Sequence, residues 1–251
     1  MAERAVVIHY HLFKNAGSSV DEILKHNFGD KWVEIEGPNN KKLTPEMMAE
    51  YIQENPEIEA ISSHTAQITL PVVEGVKIIP IVFIRHPIAR IKSAYEFERK
   101  QVDETPGSKV AKEGDFNHYM TWRLSTPTMS QIANFHVFRL KDFNQFTPNR
   151  QADLFRKRAQ KAARQLPMVG LVERFDESMA KFAELIQPYY PEFKLINAHV
   201  NTTSDPSKTL RSKLEAFEEE IGRVPFLNLM QLNVLDLELY NNIVNNFDAE
   251  A

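Results

Sequence analysis

Cysteine is absent from the 251 residues, so neither a disulfide framework nor a thiolate metal site can be built. No run approaches eighteen consecutive apolar residues, and the N-terminus lacks the basic-then-apolar pattern of a signal peptide. Charge of one sign is not in excess: the net charge of −4 gives the whole chain no strong field for a polyanion such as nucleic acid. The string G-K-[ST] occurs nowhere, which removes the nucleoside-triphosphate P-loop and its Mg²⁺-binding hydroxyl. There is no internal repeat. What remains is a chain that is 43% hydrophobic and long enough for one substantial core, predicted as a single domain over 1–251.

Against those absences one stretch stands out. His11-Leu12-Phe13-Lys14-Asn15-Ala16-Gly17-Ser18-Ser19 follows the apolar run Ala5–Ile8 and precedes the amphipathic run Val20–Phe28. Strand, tight polar loop and helix is the order that turns backbone N–H groups and a helix N-terminus toward an anion. Lys14 adds an ammonium at the mouth of that loop, and Ser18 and Ser19 add hydroxyls where the helix starts. A second strand-to-helix junction lies about seventy residues on. Val76–Ile84 is nearly continuously apolar, as a strand buried on both faces of a parallel sheet should be. Arg85-His86-Pro87 ends it, and Pro87 suits the first position of a helix. In that helix Ile88, Ile91, Ala94 and Tyr95 form one stripe, with Arg90, Lys92, Ser93 and Glu96 off it.

The two junctions together resemble the signatures of sulfotransferases that use 3′-phosphoadenosine 5′-phosphosulfate (PAPS). The first is similar to H-I-P-K-T-G-G-T-S of the carbohydrate-modifying branch. The string Arg85 to Tyr95 is similar to the second signature, R-[D/N]-P-x3-[R/x]-x-x-S-x-[Y]. The resemblance implies that Lys14, Asn15, Ala16, Gly17, Ser18 and Ser19 hold the 5′-phosphosulfate, while Arg85 and Ser93 hold the 3′-phosphate. It also implies that Thr202, Thr203 and Lys208, in the loop Asn197–Lys208 with Asn201, close over the 3′-phosphate and adenine. The closest layout is that of the uronosyl (heparan/dermatan sulfate) 2-O-sulfotransferases, in which a strand-end H-G-H segment carries a catalytic His. Here that segment reads Ser62-Ser63-His64, so only the second His is matched. A sugar hydroxyl needs a base in the transition state, and imidazole suits the task. Phe13 and Ala16 depart from the usual Pro and Gly. If position 16 requires φ > 0, alanine there costs ~1 kcal/mol or more.

The remaining chain predicts βα alternation. Gly29 stops the first helix, Thr44-Pro45 opens another to about Asn55, and Ile58–Ser62 and Met168–Val172 are strand candidates. Residues 102–115 look like an exposed loop, Asp115 and Asp176 look like helix caps, and a helical block contains Gln131–Phe138. Two C-terminal helices follow the polar loop 197–208. Four βα units give an α/β fold, a parallel sheet flanked by helices with a helical C-terminal part; the resemblance makes it P-loop-NTPase-like. Ligands should then lie at the carboxyl ends of the strands. The basic block Asn149–Gln165, with Arg150, Arg156, Lys157, Arg158, Lys161 and Arg164, reads first as a solvated helix face and second as a landing strip for an anionic acceptor. His118 and His136 lack a second ligand at i+3 or i+4, His9 and His11 share the first strand, His11 positions the loop, and His86 caps the Pro87 helix.

The resulting expectation is an O-sulfotransferase that passes a sulfuryl group from PAPS to a hydroxyl acceptor, a saccharide, with Lys14 and His64 catalytic and no metal. It releases 3′-phosphoadenosine 5′-phosphate. Rivals are a P-loop-like nucleotide-dependent kinase and a non-catalytic nucleotide-binding module of the same fold. With no leader or transmembrane segment, and with Met1 at the start, the expected setting is a soluble enzyme of the bacterial cytoplasm rather than an anchored one.

Overall fold

A computed structural model describes residues 4–140, 152–198 and 209–249. Their contacts group into two compact units, one built on residues 4–84, Leu140 and residues 160–198, the other on 85–139, 152–159 and 209–249.

The first unit holds the sheet. Strands β1 (Arg4–Tyr10), β2 (Trp32–Glu34), β3 (Ala60–Ser63), β4 (Val76–Ile84) and β5 (Gly170–Leu171) are all parallel, in the order β2-β3-β1-β4-β5. The α/β class and parallel sheet expected from the sequence are therefore present, with one strand more than predicted. β1 is buried from Ala5 onward because both its faces are covered, which is why its sequence does not alternate. β5 pairs only with Phe83 and Ile84, so at Pro80 β4 is an edge strand, where a missing N–H is tolerated. The connection from β1 runs out to β2, back to β3, and across to β4 on the opposite side of β1. That reversal makes the carboxyl end of β1 a switch point. Helices α1 (Gly17–Phe28), α2 (Pro45–Glu54) and α8 (Phe175–Ile186) complete the unit. Gly29 ends α1 with φ 52°, the left-handed turn that favours glycine. Thr44 caps α2 through the Met47 N–H.

The second unit is helical: α3 (Pro87–Lys100), α4 (Pro106–Glu113), α5 (Phe116–Leu124), α6 (Phe135–Leu140), α9 (Leu210–Ile221), α10 (Arg223–Leu232) and α11 (Val234–Ala249). α7 (Ala152–Gln165) spans the division between units. Ile88, Ile91 and Tyr95 pack with Phe116, Tyr119, Phe217 and Leu229 in one core. Tyr95, Phe116 and Phe217 meet edge-on, at ring separations of 5.3 and 4.9 Å. Among the described residues, no helix is long and apolar enough to cross a membrane.

Several expectations are corrected. Arg90 is not off the buried stripe: it is fully buried, its guanidinium 4.1 Å from the Phe135 ring centre and bonded to the Gln131 carbonyl. The loop expected over 102–115 contains α4, because Thr105 caps it and Pro106 sits at its first position. Three C-terminal helices replace two. Asp115 does cap α5, through the His118 N–H, but Asp176 lies inside the first turn of α8, which begins at Phe175. The His86 side chain makes no capping bond to α3; its ring meets Tyr240 edge-on at 5.3 Å. His136 lies in α6 on its buried side, with Nδ1 3.0 Å from Asp236 Oδ2. Asp236 also accepts from the His136 and Val137 N–H groups and so caps α6, while Asn134 accepts from the Leu235 and Asp236 N–H groups and caps α11.

Burial first, then the His136 and Arg85 charges, lower the His86 imidazole to about 4. Between its ordinary value near 6.5 and that value, the unfolded chain binds a proton that the folded chain refuses. Stability is therefore whole above about pH 6.5 and is lost as pH falls toward 4, by up to ~3 kcal/mol for this one group. Urea unfolding at several pH values across that window should show the decline, and His86→Phe should flatten it. A slope unchanged by the substitution would mean that His86 charges freely in the native protein.

Candidate active site

The loop between β1 and α1 is built on two left-handed residues. Lys14 and Ala16 both have φ 62°, whereas Asn15 and Gly17 do not share the positive sign. Alternating φ signs curl successive N–H groups toward one side, the arrangement of an anion-binding nest. The Asn15 side chain is buried and bonds back to the Phe13 carbonyl at 2.9 Å, pinning the turn. Ser19 and Val20 donate their N–H groups to Ala16 O, but the Gly17 and Ser18 amides at the head of α1 find no acceptor among the described residues. Ser18 is exposed and Ser19 buried. The departure from glycine at position 16 thus falls where the backbone is left-handed, and an L-residue there costs about 1–2 kcal/mol.

Behind the loop lies a buried acid. Asp21 accepts from His9 Nδ1 at 2.7 Å, from His11 Nδ1 at 2.8 Å and from the Ser62 hydroxyl at 2.6 Å. Ser62 in turn accepts from Trp32 Nε1 at 3.1 Å. Burial alone would raise the Asp21 carboxyl, yet hydrogen bonds from His11 and His9 outweigh it and hold the group well below the usual carboxylate range. Burial lowers His9, against the pull of Asp21. Fixed by Asp21, the His11 ring sits against Gly17: a Cβ at position 17 would lie 2.0 Å from its Cδ2. That contact is why the loop needs its one glycine. His11 therefore positions the loop, as expected.

His64 follows β3 directly and is half exposed. Its ring stacks on His11 at 3.9 Å, with an interplanar angle of 27°, and His11 stands 5.2 Å from His9. Its Nδ1 is 2.9 Å from Glu36 Oε1, which also accepts the His64 N–H at 2.8 Å. Glu36 Oε2 accepts from the Thr65 N–H and hydroxyl and from the Ser63 hydroxyl. Burial would raise the Glu36 carboxyl; hydrogen bonds from Thr65 and His64 prevail and lower it. Glu34 Oε1 lies farther off, 3.5 Å from the same Nδ1.

The structure thus brings Lys14, Asn15, Ala16, Gly17, Ser18 and Ser19 together in one loop, and joins that loop to His64 through His11. Arg85, half-buried, is the first residue beyond β4, and Ser93 is half-buried on the second turn of α3; both belong to the second unit. Thr202, Thr203, Lys208 and Arg150 lie outside the described residues. Lys157, Arg158, Lys161 and Arg164 are exposed on α7, and Arg156 pairs with Glu238 at 3.3 Å. His118 is exposed. Among the described residues two groups have donor atoms close enough to share a cation, His9 with His11 and Asp21, and Glu34 with Glu36 and His64, all within 4.8 Å in each group. In each, histidine Nδ1 is already hydrogen-bonded to a carboxylate, Asp21 in the first and Glu36 in the second. Sequence spacing sought metal ligands at i+3 and i+4 and so passed over both groups. Asp21 and Glu36 were missed as site residues. Asp21 carried a signal, an acid on the buried stripe with Val20, Ile23 and Leu24; Glu36 carried none.

Comparison with known proteins gives the chain its family. The profile of the sulfotransferase family matches residues 1–241. A protein from Archaeoglobus fulgidus, described as uncharacterized, is 40% identical over 252 residues, covering 96% of this chain and 97% of its own.

The loop strain can be tested directly. Ala16→Gly should relieve the left-handed backbone, offset in part by the greater freedom of unfolded glycine, for a gain of about 0.5–1 kcal/mol. In a chain of this size that raises Tm by roughly 1–4 °C in calorimetry. Gly17→Ala should do the reverse and more, since its Cβ must displace His11. Equal stability of the two variants would contradict the seating of His11 on Gly17.

Proposed function

We propose, since the chain belongs to the sulfotransferase family, that residues 1–251 act as one PAPS-dependent O-sulfotransferase domain whose acceptor is a saccharide hydroxyl. The observation that carries this reading is the Lys14 loop itself. The left-handed Lys14 and Ala16, and two amides with no acceptor among the described residues, follow the carboxyl end of the central strand, ahead of a helix N-terminus. The donor set suits a sulfated phosphate and needs no divalent ion to neutralise it.

PAPS supplies an activated sulfuryl group on a bridging oxygen. The transfer is in-line: the sulfur–bridge oxygen bond breaks as a sulfur–acceptor oxygen bond forms, through a loose transition state with charge growing on the bridge oxygen. Lys14 and the amides of Gly17 and Ser18 stabilise that charge where it develops. His64 takes the acceptor's proton at Nε2 while Nδ1–H points to Glu36. Arg85 and Ser93 hold the 3′-phosphate, the guanidinium through paired N–H donors and the hydroxyl through a third contact. Asn15 and Ser19 shape the loop. Thr202, Thr203 and Lys208 are carried as further nucleotide contacts on the strength of the family resemblance. The kinase alternative lacks a G-K-[ST] hydroxyl for Mg²⁺. A non-catalytic module would have no use for a carboxylate-held imidazole beside the anion loop.

Radiolabelled PAPS with a panel of saccharides tests the reaction. 3′-Phosphoadenosine 5′-phosphate should raise the melting temperature well above the effect of AMP or ATP at equal concentration. Equal stabilisation by ATP, dependent on Mg²⁺, would favour the kinase. Once an acceptor is found, Arg85→Ala should weaken nucleotide binding about 10- to 100-fold, because it removes a charge-assisted contact made in ground and transition states alike. Lys14→Ala should instead lower kcat on the order of 10²–10³-fold with a smaller change in nucleotide affinity. The same pattern of losses in both variants would end these role assignments.

A further inference from the structure

We infer that Glu36 is a positioning residue for His64: its carboxylate takes the Nδ1–H of the imidazole and so fixes the tautomer in which Nε2 is the basic nitrogen. The inference rests on the proposed role of His64 as the base. It stands on geometry that the sequence does not announce. Glu36 lies two residues beyond β2 and His64 one residue beyond β3, and these neighbouring parallel strands bring the two side chains to the same sheet edge. The Ile35 N–H continues the pairing by donating to Ser62 O at 3.0 Å, so Glu36 leaves the sheet in a fixed register.

The carboxylate is over-determined. Oε1 accepts the His64 N–H and Nδ1–H; Oε2 accepts the Thr65 N–H, the Thr65 hydroxyl and the Ser63 hydroxyl. Thr65 is itself held by the Gly37 N–H at 2.9 Å. With donors on every side, the acid stays ionised and immobile, and the ring it holds can turn neither about its own axis nor away from the His11 stack. Carboxylate-to-imidazole contacts of this kind set the orientation and raise the basicity of the far nitrogen. When the acceptor's proton arrives on Nε2, the resulting imidazolium faces Glu36 and Glu34 from the β2 side, with His11 stacked on it and Asp21 beyond. Positive charge on His64 is therefore met by fixed negative charge, with nothing to reorganise.

A purely structural role for Glu36, as a staple of the Ser63–Thr65 turn, would leave the tautomer of His64 indifferent. The experiment reads the tautomer. In the full chain labelled with ¹⁵N-histidine, long-range proton–nitrogen spectra at neutral pH should show the His64 proton on Nδ1, with His64→Asn identifying the resonance. Glu36→Gln should populate both tautomers, because one of the two former oxygen positions becomes an NH₂ facing a donor. It should also lower kcat on the order of 10²–10³-fold with little change in nucleotide affinity. Glu34→Gln should leave the tautomer as in the wild type. A wild-type proton on Nε2, or a Glu36→Gln protein with unchanged tautomer, would overturn the proposal; the wild-type spectrum decides alone if the variant does not fold. Failure of 3′-phosphoadenosine 5′-phosphate to stabilise the protein would sink the sulfotransfer reading while leaving the tautomer result in place, so the two failures are separable.

Discussion

The Asp21 carboxylate is the constraint on which the site depends. One buried acid accepts from two strand-end imidazoles and one hydroxyl, tying β1, β3 and α1 at the switch point of the sheet. Each hydrogen bond to a charged group is worth about 1.5–3 kcal/mol, and together they overcome the cost of taking the acid out of water. From it the rest follows in order. His11 is held in place, Gly17 must be bare to receive it, and His64 gains a platform on which to stack. No residue in this sequence of contacts is far from the Lys14 loop, yet Asp21 is shielded from solvent by the groups it organises.

The loop above it is under strain that a glycine would have spared. Lys14 and Ala16 are both left-handed, each at a cost of about 1–2 kcal/mol, and the surrounding contacts over-determine them. On its proposed role Lys14 needs its side chain for charge, which makes its strain unavoidable. That of Ala16 is not, and it marks the place where this chain trades backbone comfort for a stiffer turn. A stiff loop presents its amides without reorganisation when charge appears.

What the sequence made legible was local. Strand, polar loop and helix at 5–28 and again at 76–100 could be read because apolar runs, a lysine, an arginine and a well-placed proline sit within one turn of one another. The α/β class followed from their repetition. β2 was too short, at three residues, to show a period, and α4 hid behind Pro106 and Gly107, which read as loop until Thr105 is recognised as a cap. Gly107 is there for packing: a Cβ would strike Glu98, whose carboxylate pairs with Arg123 in the interior. Glu36 could not have been found, since its meeting with His64 depends on the register of two strands 28 residues apart. Arg90 was misjudged for the opposite reason. Charge suggested solvent, whereas Phe135 and the Gln131 carbonyl offer it a buried seat.

The reciprocal caps between α6 and α11 bear on how the protein is made. Asp236 satisfies the head of a helix 100 residues earlier, and Asn134 satisfies the head of the helix that carries Asp236. At about 5–20 residues per second, α6 emerges from the ribosome roughly 5–20 s before its partner exists. During that interval its first N–H groups and the apolar faces that enclose them have only water or other chains to turn to. The core of the second unit is thus completed only when α11 is made. A translation pause before α11 would leave that helical core half built, and a holding chaperone would have its best chance to act there.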